Sequence, residues 1–259
     1  MSTTRTRRAR ALTLSSRSSR SARWCRWSWL VGLAAPALAG CPSPNIYGTP
    51  RTLAPGAITH TFAFEANHYS GQYPAASGTG TTSRLEPSIP VTYMLRAGVA
   101  EQIDLGVRIG DLSSLGLDVK GNFLRSKVID LAVDPGAQML PLLGDRGHAM
   151  VHAQVPLLVG INFSRAASLV VSPGIAYVAP FDAVSTESDR VRILGEAGLR
   201  GRLGLGVNMR FSNFFALQPE VTTIRSFDST KATIVAIGLG FSLGQLPSFD
   251  DVPEDDDVE

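Results

Sequence analysis

Between Val191 and Phe211 the chain alternates two kinds of residue without a break, and this period of two constrains the fold more than any other feature. The odd positions run Val191, Ile193, Gly195, Ala197, Leu199, Gly201, Leu203, Leu205, Val207, Met209 and Phe211. The even positions include Arg192, Glu196, Arg200, Arg202, Asn208 and Arg210. Only an extended strand, whose side chains point alternately to two faces, keeps such sets apart; a helix would scatter both around its circumference. The same parity recurs in 89–97, 103–109 and 115–123. The pattern predicts ten strands, at 57–66, 87–98, 102–110, 114–124, 128–138, 149–162, 168–179, 190–211, 214–226 and 231–243. The class is all-β.

Which face is buried follows from the polar set. Lumen candidates of opposite sign are Arg96, Arg108, Lys120, Arg192, Arg200 and Arg202 against Asp104, Asp118, Asp130, Asp134, Glu196 and Glu220. Near-equal numbers imply pairing, because a charge buried without a partner is prohibitive. Between them stand small residues such as Gly106, Gly116, Gly204, Gly206, Ala236, Gly238 and Gly240. A water-exposed face gains nothing from small residues, whereas a crowded interior needs them beside long Arg side chains. The apolar face, nearly free of charge, is then the outer one. The opposite arrangement, apolar inside and polar outside, is that of a soluble lipocalin-like barrel binding an apolar ligand.

The turns support the membrane arrangement. Connections after strands two, four, six and eight are short, and those after one, five and seven are longer and rich in Gly, Ser, Thr, Pro and charge. Phe123, Phe163, Phe211, Phe214, Phe215 and Phe241 fall near the short-turn end, as one half of an aromatic girdle. Three hairpins repeat an aromatic before the short turn and a Pro after it, ending at Pro135, Pro173 and Pro219; bulges or bends are expected there. The last strand, Ala236-Ile-Gly-Leu-Gly-Phe241-Ser-Leu243, resembles the C-terminal assembly signal of bacterial outer-membrane proteins, although a further 16 residues follow it. The resemblance covers 57–243 in pattern. It implies a single antiparallel up-and-down transmembrane β-barrel of about 10 strands (8–12) with short periplasmic turns, contacts with outer-membrane lipid, and insertion by the barrel-assembly machinery.

Residues 1–40 read as an export signal. They hold eight Arg and no acid, and Trp27–Ala39 is an apolar run too short to span a bilayer. Leu38-Ala39-Gly40-Cys41 resembles the lipobox of bacterial lipoproteins, which implies cleavage before Cys41 and acylation of its thiol. Cleavage after Ala37-Leu38-Ala39 by an ordinary signal peptidase is the alternative. Without Cys25, lost with the signal, Cys41 has no disulfide partner. Residues 41–56 then form a Pro-rich periplasmic linker, 57–245 the barrel, and 246–259 a disordered acidic tail that could meet a periplasmic partner. An even strand number brings both termini to the periplasmic side. The 24 basic residues less those eight leave 16 against 22 acids. No basic patch remains, which excludes nucleic acid as a partner.

Little in the chain suggests chemistry. His148 and His152 lie about 13 Å apart on one strand, and His60 and His68 are separated by a strand end, so no metal site is expected. His68 with Ser70, and Asp145 with His148, stand in expected outer loops without diagnostic spacing. Neither an enzyme activity nor a cofactor is expected. The reading is an outer-membrane barrel (lipo)protein of a Gram-negative envelope with a structural, surface-interaction or envelope role and a charged, plugged lumen. A narrow channel for small polar or anionic solutes is the first alternative. If the loops carry the role, residues 67–86 are the expected partner-binding segment.

Overall fold

The computed structural model describes residues 43–75, 78–110, 114–141, 149–181, 197–228 and 231–252. Its strands are β1 (Ile58–Ala75), β2 (Gly78–Ala100), β3 (Ile103–Gly110), β4 (Ser114–Leu124), β5 (Ile129–Val133), β6 (Gly136–Pro141), β7 (Ala149–Asn162), β8 (Ala167–Phe181), β9 (Gly198–Ser212), β10 (Phe215–Ser226) and β11 (Thr233–Gly244). All pairs are antiparallel. β5 and β6 both lie between β4 and β7, so they occupy one place in the ring. The first strand pairs with the last, from Thr59↔Gly244 to Ser70↔Thr233, and β3 pairs with β4. The result is a closed, ten-stranded, up-and-down barrel with no free edge.

The faces are those of a membrane barrel. Leu105, Leu117, Val119, Leu199 and Leu203 point outward and are between 44% and 62% exposed. Their even-numbered neighbours Asp104, Lys120, Arg200 and Arg202 are at most 4% exposed. The lipocalin-like arrangement is thereby overturned: water would meet the apolar set, and the charges fill the interior. An outer surface of this kind is stable only against lipid.

Several elements differ from the pattern-based expectation. Residues 67–86 are mostly strand, because β1 and β2 pair on to Ala75↔Gly78. The segment is polar and shows no hydrophobic period, but its Thr- and Tyr-rich backbone pairs readily. β9 begins at Gly198, and 182–196 lie outside the described residues. Pro135 does mark a break, between β5 and β6. Pro173 and Pro219 sit in unbroken register, opposite Leu203 and Leu239, and forfeit a ladder bond without a bulge.

The two ends of the barrel chain depart most. Of residues 41–56, expected as a free linker, 43–53 lie inside the ring and run down to its short-turn end, where 54–56 are exposed before β1. Asn45, Tyr47, Arg51 and Leu53 are all buried. The tail is folded as far as Val252 and lies across the same mouth, with Phe249 and Val252 buried; residues 253–259 lie outside the described part.

Candidate functional site

The interior is built in three layers. At the loop end Tyr69, Leu140, Met150, Val178, Ile224 and Ile234 form a buried apolar cluster, each at most 2% exposed. These are lumen-facing positions, so strict alternation hides them: they read as apolar residues on the polar parity.

Below them lies the charged layer. Arg96 bridges Asp118 at 2.5 Å and Asp134 at 3.1 Å, and Lys120 meets Asp104 at 3.0 Å. Other charges of the layer turn to the N-terminal segment. Arg108, Arg202, Glu220 and Asp130 are buried in the same layer but bind residues 43–51 instead. Arg200 is buried on β9 opposite Ser226. Arg192 and Glu196 lie outside the described residues, as do residues 1–40, expected as an export signal, and Cys41.

The third layer is the N-terminal segment, held largely by its main chain. Glu220 accepts hydrogen bonds from two consecutive amides, Ile46 N and Tyr47 N, both at 2.8 Å. Tyr47 has φ +50°, and a left-handed residue lets successive N–H groups converge on one anion. Arg108 donates to the carbonyls of Ser43 and Asn45 at 2.7 and 2.8 Å, and Arg202 to that of Pro44 at 2.7 Å. Lys120 donates to the carbonyls of Thr49 and Arg51, and Asn122 to that of Pro50. Asp104 accepts from Leu53 N at 2.9 Å. Pro44 and Pro50 bring no N–H that would need a partner in a dry interior.

Two side chains of the segment are anchored. The Tyr47 hydroxyl donates to Glu65 at 2.7 Å, and Ser43 and Asn45 donate to the same carboxylate oxygen. The Tyr47 ring lies over Gly238 and Gly240: a Cβ at Gly240 would stand 2.6 Å from it. Arg51 is fully buried and meets Asp130 at 2.7 Å. It also pairs with Asp251, donates to the carbonyls of Ser248 and Ser126, and stacks 4.2 Å from the Phe249 centroid. Arg210 covers the same ring at 3.3 Å. Arg51 therefore ties wall, plug and tail together. Burial pushes the Asp251 carboxyl up, but hydrogen bonding and charge from Arg51 outweigh this and hold it below its ordinary 3.8.

Pattern reading missed the plug and the cap because neither has a period. The trace they leave in the sequence is in the wall. Gly238 and Gly240 make room for Tyr47, and at Gly160 an added Cβ would stand 2.9 Å from the Pro50 ring. Of the girdle residues, Phe123, Phe163, Phe211 and Phe214 are exposed at the turn end, and Phe211 stacks on Phe215 at 5.6 Å. Phe241 packs edge-on against Phe64, and Phe62 packs on Tyr93; this β1–β2 part of the belt escaped the sequence reading. Among the described residues no cluster of His, Cys, Asp or Glu could hold a metal.

No protein-family model matches the chain, and comparison with curated proteins finds no match. Solved structures give likenesses in outline. An outer-membrane channel from Pseudomonas putida F1 is 10% identical, with TM-score 0.48, covering 77% of this chain and 99% of that one. Neisserial surface protein A is 7% identical (TM-score 0.37, 71% and 96% covered), and the outer-membrane protease OmpT from Escherichia coli is 8% identical (TM-score 0.37, 76% and 98%). With a closed ten-stranded ring, an apolar exterior and a charged interior, the chain has the fold of a transmembrane β-barrel.

Proposed function

We propose that this barrel acts through its exterior and its loop end, in a structural or surface-interaction role in a Gram-negative envelope, and passes no solute. One observation carries this reading: among the described residues the lumen holds an apolar layer, a charged layer with the N-terminal segment bound in it, and the folded tail across its mouth. An open conduit needs none of these. In this reading residues 1–40 direct export, the assembly machinery inserts the barrel, and the turn end with both termini faces the periplasm. Outer-membrane lipid covers the apolar belt, and the acidic residues beyond Val252 meet a periplasmic partner. No catalytic role is assigned.

Planar-bilayer recording of the purified full chain tests the proposal. Silence at physiological salt, together with heat-modifiable gel mobility, is the expected result. A stable, well-resolved conductance that prefers anions overturns it in favour of a narrow channel.

A further inference from the structure

The lumen wall recognises the N-terminal segment in a way that a protein core does not. We infer that it is a peptide-binding site, for an extended segment with an aromatic residue four places before an Arg, and that residues 43–53 are its ligand in cis. Four observations converge on this. First, the ring closes without the segment: every strand has two strand neighbours, and 43–53 belong to no ladder. Second, many contacts run from wall side chains to plug main chain (Glu220, Arg108, Arg202, Lys120, Asn122 and Asp104), and among the side chains that the wall binds, Tyr47 and Arg51 are the large ones, each seated in its own notch.

Third, the fit is incomplete. Asn45 Oδ1 and Thr49 Oγ1 are buried with no hydrogen-bond partner among the described residues. A cavity of about 60 Å³ also remains between Ile46, Tyr47, Leu53, Met94, Leu246 and Phe249. Fourth, the connection to β1 at Ala54, Pro55 and Gly56 is exposed, and Gly56 has φ +81°. The turn is bonded to Gly98 of β2, so its exposed residues give a place where the chain can be cut and the segment freed without disturbing a ladder.

The inference rests on the barrel fold and survives either outcome of the conductance test. To examine it, a protease recognition sequence is placed between Ala54 and Gly56 of the full chain, and the folded protein is cut in detergent. The freed segment is expected to stay with the barrel through gel filtration. It should then exchange for a fluorescent synthetic peptide of residues 43–53 while heat-modifiable mobility is retained. A peptide carrying Arg51→Ala should compete at least about 100-fold more weakly, since a buried charge loses its partner. A peptide carrying Tyr47→Ala should also compete more weakly. Two results overturn the inference: a segment that leaves only when the barrel unfolds, which makes it core, or one lost on cleavage with no rebinding of the peptide. Competition equal among the wild-type and variant peptides overturns the two notches.

Discussion

Arg51 is the residue on which the interior turns. Its guanidinium is out of water and divides its donors among Asp130, Asp251 and two carbonyls. Replacing it by Ala leaves Asp130 buried without its cation, and such a loss costs about 3–5 kcal/mol. A fall in melting temperature, and a barrel whose mouth is open to protease, are the expected results for Arg51→Ala; an Arg51→Ala, Asp130→Asn double variant should recover part of the loss. Asp251 adds a pH dependence. Its folded-state pKa is depressed below 3.8, so the stability it contributes is present above that value and is lost as pH falls through the lower folded-state one. Hydrogen-exchange protection of residues 246–252, corrected for intrinsic rates, should hold at pH 5 and above and fall only in strong acid. Asp251→Asn should show the loosened tail at neutral pH.

At the scale of elements, the strands have two faces with opposite tolerances. Leu105 and Val119 are cross-strand partners on the outer face, and Leu199 lies on the same face of β9. An Arg at any of the three should cost about 2–4 kcal/mol near the midplane, measured as a lowered denaturant midpoint in lipid vesicles. The last strand is the opposite case: its inner face is limited by what it holds. Gly240→Leu would drive a side chain into the Tyr47 ring. Overpacking costs about 1–3 kcal/mol if the plug stays, and ejecting the segment avoids it. The variant is expected to keep heat-modifiable mobility while trypsin gains access to Arg51, which the wild type protects. A variant that still protects Arg51 would show that the wall yields instead.

For the whole molecule, the position of the plug yields a prediction about the anchor. Ser43 is 1% exposed inside the ring. Cys41 is two residues earlier, and two residues reach at most about 7 Å. The stretch 42–56 therefore cannot serve as the long tether to a leaflet that its length alone permits, as long as the plug is in place. Mass spectrometry of the population that resists trypsin at Arg51 should find no acyl group on Cys41. An acylated Cys41 in that population would show that the segment threads elsewhere.

The parity of the sequence by itself determined the class, a strand number near ten and the division of each strand into an apolar and a charged face; which face is the outer one was decided by the closed ring. A strand allows one side chain per face in strict alternation, and a buried charge cannot share a face with lipid-facing Leu or Val. Short turns between periodic runs also determined the up-and-down order. Other features depended on closure. Asn45, Tyr47 and Arg51 carry no period and look like linker residues until ten strands enclose a space lined by Glu65, Arg108, Glu220 and Asp130. The charges of the lumen could be counted in the sequence, but their partners could not. Arg108 and Glu220 bind main-chain atoms of a segment more than 60 residues away in the chain, and main-chain groups are the same at every position. Only the tertiary structure brings those groups to those charges, because only the closed ring removes the water that would otherwise satisfy both.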